Sequence, residues 1–97
     1  MKYTMIENDK VIFSGSVAYR IKALKSFKCQ DRVVTAGDLG GYIEKKENLC
    51  NTDSSWVFDN AVISGDAEVY EDSMVEKNAT ISGNAKIILM YFILTEC

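Results

Sequence analysis

The chain has 97 residues, 47% of them hydrophobic, with no proline and no histidine, which fits one ordinary globular domain. The missing histidine removes the usual general base near neutral pH, and Cys29, Cys50 and Cys97 are too widely spaced for a zinc site. The net charge of −3 divides into +3 over residues 1–48 and −6 over residues 49–97, so the molecule is expected to be polar along its length, with direct nucleic-acid binding disfavoured.

The first ten residues carry early charges and no long apolar run, so no signal peptide is expected. No apolar stretch approaches the roughly 20 residues of a membrane helix. Three free thiols would suit a reducing cytoplasm.

Lys2–Ile6 and Val11–Phe13 read as a β-hairpin around Glu7-Asn8-Asp9-Lys10. Val17–Leu24 alternates, with Val17, Tyr19, Ile21 and Ala23 on a buried face and Arg20 and Lys22 pointing away. Phe27 is expected in the core. Lys28–Arg32 reads as a charged loop, and Val33–Thr35 as a short strand. Ala36–Glu44 holds Gly37, Gly40 and Gly41. No Gly-Lys-Ser/Thr follows, so this is read as a tight reversal and not a phosphate loop. Glu44–Asp53 is polar and links this first half to the next.

From Ser55 to Met90 the chain falls into six blocks of six. The third position is branched and apolar in all: Val57, Ile63, Val69, Val75, Ile81, Ile87. The first is small: Ser55, Ala61, Ala67, Ser73, Ala79, Ala85. The sixth is Asn60, Asp66, Asp72, Asn78 and Asn84 in the first five blocks. A period of six suits neither helix nor simple strand. It suits a short strand followed by a corner, with the branched residue inside, the small one where walls converge, and Asn/Asp at the turn. Trp56, beside the first inward valine, is expected to pack between the two halves.

These blocks resemble the hexapeptide-repeat superfamily, whose fold is a left-handed parallel β-helix with three blocks per coil. The fold class is therefore expected to be all-β: a short β-helix of about two coils, an N-terminal antiparallel β cap and an apolar C-terminal strand. The divisions are 1–50 for the cap, 51–90 for the repeats and 88–97 for the tail, all in one domain. Tyr19–Leu24, Ala36–Glu44, Asn48-Leu49 and Trp56-Val57 look like the cap of small β-helix proteins of bacteriophages and prophages. That resemblance implies a fold and a phage setting, and no defined chemistry. Hexapeptide acyltransferases use a histidine that is missing here, so a degenerate acyltransferase is only an alternative reading.

The tail departs from the family. Ile87–Leu94 has eight apolar residues and no corner signal, so both of its faces need cover. Ile88, Leu89, Met90, Tyr91, Phe92, Ile93 and Leu94 are read as a homo-oligomer interface, in a dimer or trimer, or as a lid over the coil. Asp59, Glu68, Glu71, Asp72 and Glu76 are read as an acidic wall for a host partner that itself handles nucleic acid. No cofactor, metal or catalytic set is expected. The functional expectation is a non-enzymatic interaction module, an anti-CRISPR-like inhibitor in its most concrete form. A structural or assembly role is the other alternative.

Overall fold

A computed structural model describes residues 1–13 and 15–87. Tyr3–Phe13 forms β1 and pairs antiparallel with β2, Ser16–Ala23. The reversal expected at Glu7–Lys10 does not occur. Ile6 pairs with Arg20 and Lys10 with Tyr19, so Glu7, Asn8 and Asp9 bulge from a strand that continues. The strand instead reverses beside Gly15, at φ +81°, a left-handed value glycine adopts without a Cβ clash.

Phe27–Cys29 (β3) and Arg32–Val34 (β4) form a hairpin across Gln30, at φ +55°, where a charged loop was expected. Alternation runs through both strands: Cys29 and Val34 are buried, while Lys28 and Val33 face solvent. In β2 the expected buried face survives only at Ile21 and Ala23. Its register against the next strand slips between Arg20 and Lys22, and Ala18 is buried in place of Val17 and Tyr19.

Leu39–Ile43 is β5, a strand where a reversal was expected. One edge pairs antiparallel with β2; the other pairs parallel with Val62–Ile63 (numbered β7 below). It is therefore the joint between cap and coil. The turn itself is made upstream, by Gly37 at φ +98°. Gly40 and Gly41 serve close approach. A Cβ on Gly40 would lie 2.6 Å from the Val57 carbonyl oxygen, and one on Gly41 2.5 Å from that of Ala61.

A 3-10 turn at Lys46–Asn48 follows; among the described residues there is no α-helix. Six two-residue strands then repeat: Trp56–Val57 (β6), Val62–Ile63 (β7), Glu68–Val69 (β8), Met74–Val75 (β9), Thr80–Ile81 (β10) and Lys86–Ile87 (β11). They pair only in parallel, β6 with β9, β7 with β10 and β8 with β11, each across 18 residues. Three strands per circuit make three walls. β1, β2, β5, β7 and β10 together form one mixed sheet that runs from cap into coil.

The third-position residues line the interior. Ile43, Val57, Ile63 and Val69 are fully enclosed and Val75 nearly so, while Ile81 and Ile87 are half-covered. The small first positions follow the same gradient: Ala61 and Ala67 are buried and Ala79 is exposed. The interior thus loosens toward the last described circuit.

The first circuit is longer. Tyr42 pairs with Val62, Ile43 with Ile63 and Leu49 with Val69, two residues beyond the later spacing. Since Ile43 to Leu49 and Val57 to Ile63 keep the step of six, the extra pair falls between Leu49 and Val57. This enlarged corner receives Lys2. The Lys2 amide donates to Asn51 Oδ1 (2.6 Å), and its ammonium to the carbonyls of Asp53 (2.9 Å) and Ser55 (2.6 Å).

A second apolar layer lies outside the wall of β6 and β9. Alternation turns Val57 inward and Trp56 outward. Trp56 makes T-shaped contacts with Tyr3 (6.3 Å) and Phe27 (5.3 Å) and is closed over by β1 and the β3–β4 hairpin, as expected of a residue between cap and coil. The Tyr3 hydroxyl lies 2.8 Å from the Leu49 carbonyl oxygen and 2.9 Å from that of Lys46, tying β1 to the first circuit.

Candidate interaction groove

The five acids read as one wall are distributed over corners and walls. Asp59 sits at a corner with φ +57°, and its Oδ2 accepts the amide of Lys77 one circuit on (2.8 Å). Glu71 and Asp72 stand at another corner, at φ +61° and +60°. There the bonding is reciprocal: Asp53 Oδ2 accepts the Glu71 amide (2.6 Å), and Asp72 Oδ1 accepts the Ser54 amide (2.8 Å). Glu68, on a wall, pairs with Lys86 (2.7 Å), and Glu76 with Arg32 (2.8 Å). Apart from the chain neighbours Glu71 and Asp72, the fold brings together Asp59 and Glu76, both on Arg32. The Asp53, Asp59 and Asp72 carboxylates satisfy backbone amide donors at the corners. Asp53 shows the electrostatic consequence. Burial opposes its charge, but hydrogen bonds from Ser55 and Glu71 outweigh this and hold its carboxyl below the usual range.

Arg20, expected to face solvent, is an internal clamp. Its Nε donates to Asp9 Oδ2 (3.1 Å), Nη1 to the carbonyls of Gly40 (2.7 Å) and Asp59 (3.2 Å), and Nη2 to the Tyr42 hydroxyl and Asn60 Oδ1. All five donors are engaged, and the guanidinium lies 4.2 Å from the Tyr42 ring centroid. The bulge in β1 is what brings Asp9 within reach. Arg20 is therefore withdrawn from any nucleic-acid footprint.

Arg32 is different. Its guanidinium lies on the Phe58 ring at 3.8 Å and makes one short ion pair, with Glu76; Asp59 is farther, at 4.0 Å. Its side chain stays 40% exposed. Beside it runs a groove of about 350 Å³ lined by Val33, Val34, Asp38, Leu39, Trp56 and Phe58, with Arg20, Arg32, Asp59 and Asn60 at its sides. Val33 is 68% exposed and Leu39 57%. The groove therefore joins β4, the start of β5 and the corner after β6.

Compared with family models, with curated proteins and with solved structures, the chain has no match. The groove must be interpreted from its own chemistry.

Its four charged liners balance: Arg20 and Arg32 against Asp38 and Asp59. Among the described residues no group of three or more His, Cys, Asp or Glu is placed to hold a metal. The cysteines depart in part from the three free thiols expected: Cys29 is free and enclosed, whereas Cys50 is disulfide-bonded. Burial pushes the Cys29 thiol up to about 11, which makes it a poor nucleophile near neutrality. Ile88 to Leu94, the expected oligomer interface, lie outside the described residues. No helix among the described residues is long and apolar enough to cross a membrane.

The groove was not visible from sequence. Local pattern places Arg32 in a charged loop, Val33 in a short strand and Leu39 in a tight reversal. The one available signal is Phe58, wholly apolar where the next four blocks carry a polar group, in Ser64, Tyr70, Glu76 and Ser82.

Proposed function

We propose that the protein is a non-enzymatic interaction module and that the groove beside Arg32 receives a segment of another protein. The carrying observation is the pair Val33 and Leu39, both large, apolar and exposed, on a cleft whose lining also includes the buried Trp56 and Phe58. Exposed apolar margins of this kind suit an inserted side chain. The balanced charge favours a protein occupant, since a nucleic acid requires a surplus of cations. The resemblance of the cap to phage and prophage proteins supplies the class of partner: a host defence protein, occluded in the anti-CRISPR manner.

The three-walled coil is read, on the same resemblance, as a left-handed β-helix, and Ile88 to Leu94 as the contact between copies. The five acids are not proposed as a common wall: Asp59 and Asp72 accept corner amides, Glu68 and Glu76 pair with Lys86 and Arg32, and the five lie at three separate places.

The test is differential capture. Host proteins retained by the wild type should be lost with Val33→Glu and with Leu39→Glu, and kept with Glu68→Gln, which lies on another wall. Retention by all three variants would refute the groove as the site. Sedimentation with and without residues 88–97 tests the oligomer; an unchanged mass would remove the tail from it.

A further inference from the structure

Lys2 is a fully buried lysine. Its side chain is 1% exposed and enters the enlarged first corner from the residue just ahead of β1. Its ammonium meets two carbonyl oxygens, the Ser55 hydroxyl at 3.5 Å and one close carboxylate, that of Asp53 at 3.7 Å. The groups facing it from every side are few. The corner offers Asp53 and Ser55; the corner one circuit on offers Asp72; β3 offers the Cys29 thiol and the Phe27 ring, whose centroid is 5.3 Å away. The thiol is neutral at ordinary pH. The compensating negative charge therefore comes from Asp53 and, farther off, Asp72.

We infer that Lys2 and Asp53 form an acid-released latch that holds the first strand against the coil. A buried cation is tolerated while its partner is ionised, and strongly disfavoured once that partner is neutral. Protonating Asp53 also weakens its grip on the Glu71 amide and on the Ser55 amide and hydroxyl. Lys2 then leaves for water, taking with it the Leu24 amide that donates to its carbonyl (2.8 Å). Tyr3 is the next residue, so departure uncovers Trp56. The latch needs more acid than an ordinary carboxylate would, because those hydrogen bonds hold Asp53 low. Burial lowers the Lys2 ammonium to about 8, yet it remains charged throughout the acid range.

Trp56 is the sole tryptophan, so its emission reports the latch directly. In the wild type the emission should shift to the red only at a pH below the ordinary aspartate range, while the far-ultraviolet signal of the coil persists. In Lys2→Met, which fills the same space without charge, that early shift should vanish. At pH 7, Asp53→Asn should lower the exchange protection of the Leu24 amide at least about tenfold, with the Ser64 and Glu68 amides unchanged. Adding Lys2→Met to Asp53→Asn should restore it to the level of Lys2→Met alone. The latch is refuted if Trp56 and coil signals move together, if Lys2→Met keeps the early shift, or if the two substitutions simply add.

Discussion

Gly41 occupies the place that Ala61, Ala67 and Ala85 take in later blocks, but a methyl there would lie 2.5 Å from the Ala61 carbonyl oxygen and 2.6 Å from Val57 Cγ1. Gly41→Ala is therefore expected to lower stability by about 1–3 kcal/mol, measured by urea denaturation. Asp59 makes a milder case. Asp59→Ala removes the acceptor of the Lys77 amide at a half-exposed corner and should cost about 1 kcal/mol, whereas Asp59→Asn, which keeps an acceptor, should cost less. Such positions were legible as types, since small residues and Asn or Asp recur at fixed steps. Their partners were not. That Asp53 caps Glu71, or that Asp9 reaches Arg20, depends on stacking and on a bulge that local spacing does not encode.

Trp56 is one support of the β3–β4 hairpin, beside the contacts of Arg32 with Phe58 and Glu76. Trp56 stands outside the coil wall, and Phe27 packs against it in a T-shaped arrangement. Trp56→Ala should cost about 3–5 kcal/mol and loosen the hairpin first. The Cys29 thiol, enclosed in the native protein, should then react with a thiol reagent many times faster, with Val57→Ala as the control that disturbs the coil from inside. At this scale the repeats were readable because their period holds from Ser55 onward. Their true beginning was not. Gly41-Tyr42-Ile43 has the same small, outward, inward order, but two extra residues before Val57 put it out of phase with the blocks that follow. The first hairpin was misplaced for a related reason: Glu7-Asn8-Asp9 has turn composition, yet the pairing of Lys10 to Phe13 with β2 carries the strand past it.

Three groups deep in the molecule set its response to alkali. Lys2 titrates at about 8 against an ordinary 10.5, through burial, so the unfolded chain holds its proton more tightly over that interval and stability rises with pH across it. Cys29 is pushed up by burial from 9.0 to about 11, and Tyr3 by burial and the Glu47 charge from 10.0 to about 12. Here the folded state keeps the proton, and stability falls from pH 9 upward and again from pH 10. The expected profile rises gently from pH 8 to 9, levels, and declines above pH 10. Urea midpoints across pH 7–11 check it, and Lys2→Met should abolish the initial rise.

The enlarged first circuit also limits how such a chain can lengthen. From Ala61 onward each ladder repeats every 18 residues, so a copied block of 18 inserted between Asn78 and Ala79 would extend every wall without a phase error. The same block inserted at Asn51 would displace the socket that seats Lys2. Evolutionary elongation by duplication is thereby confined to the far side of the coil, and the end that meets the cap is fixed in length.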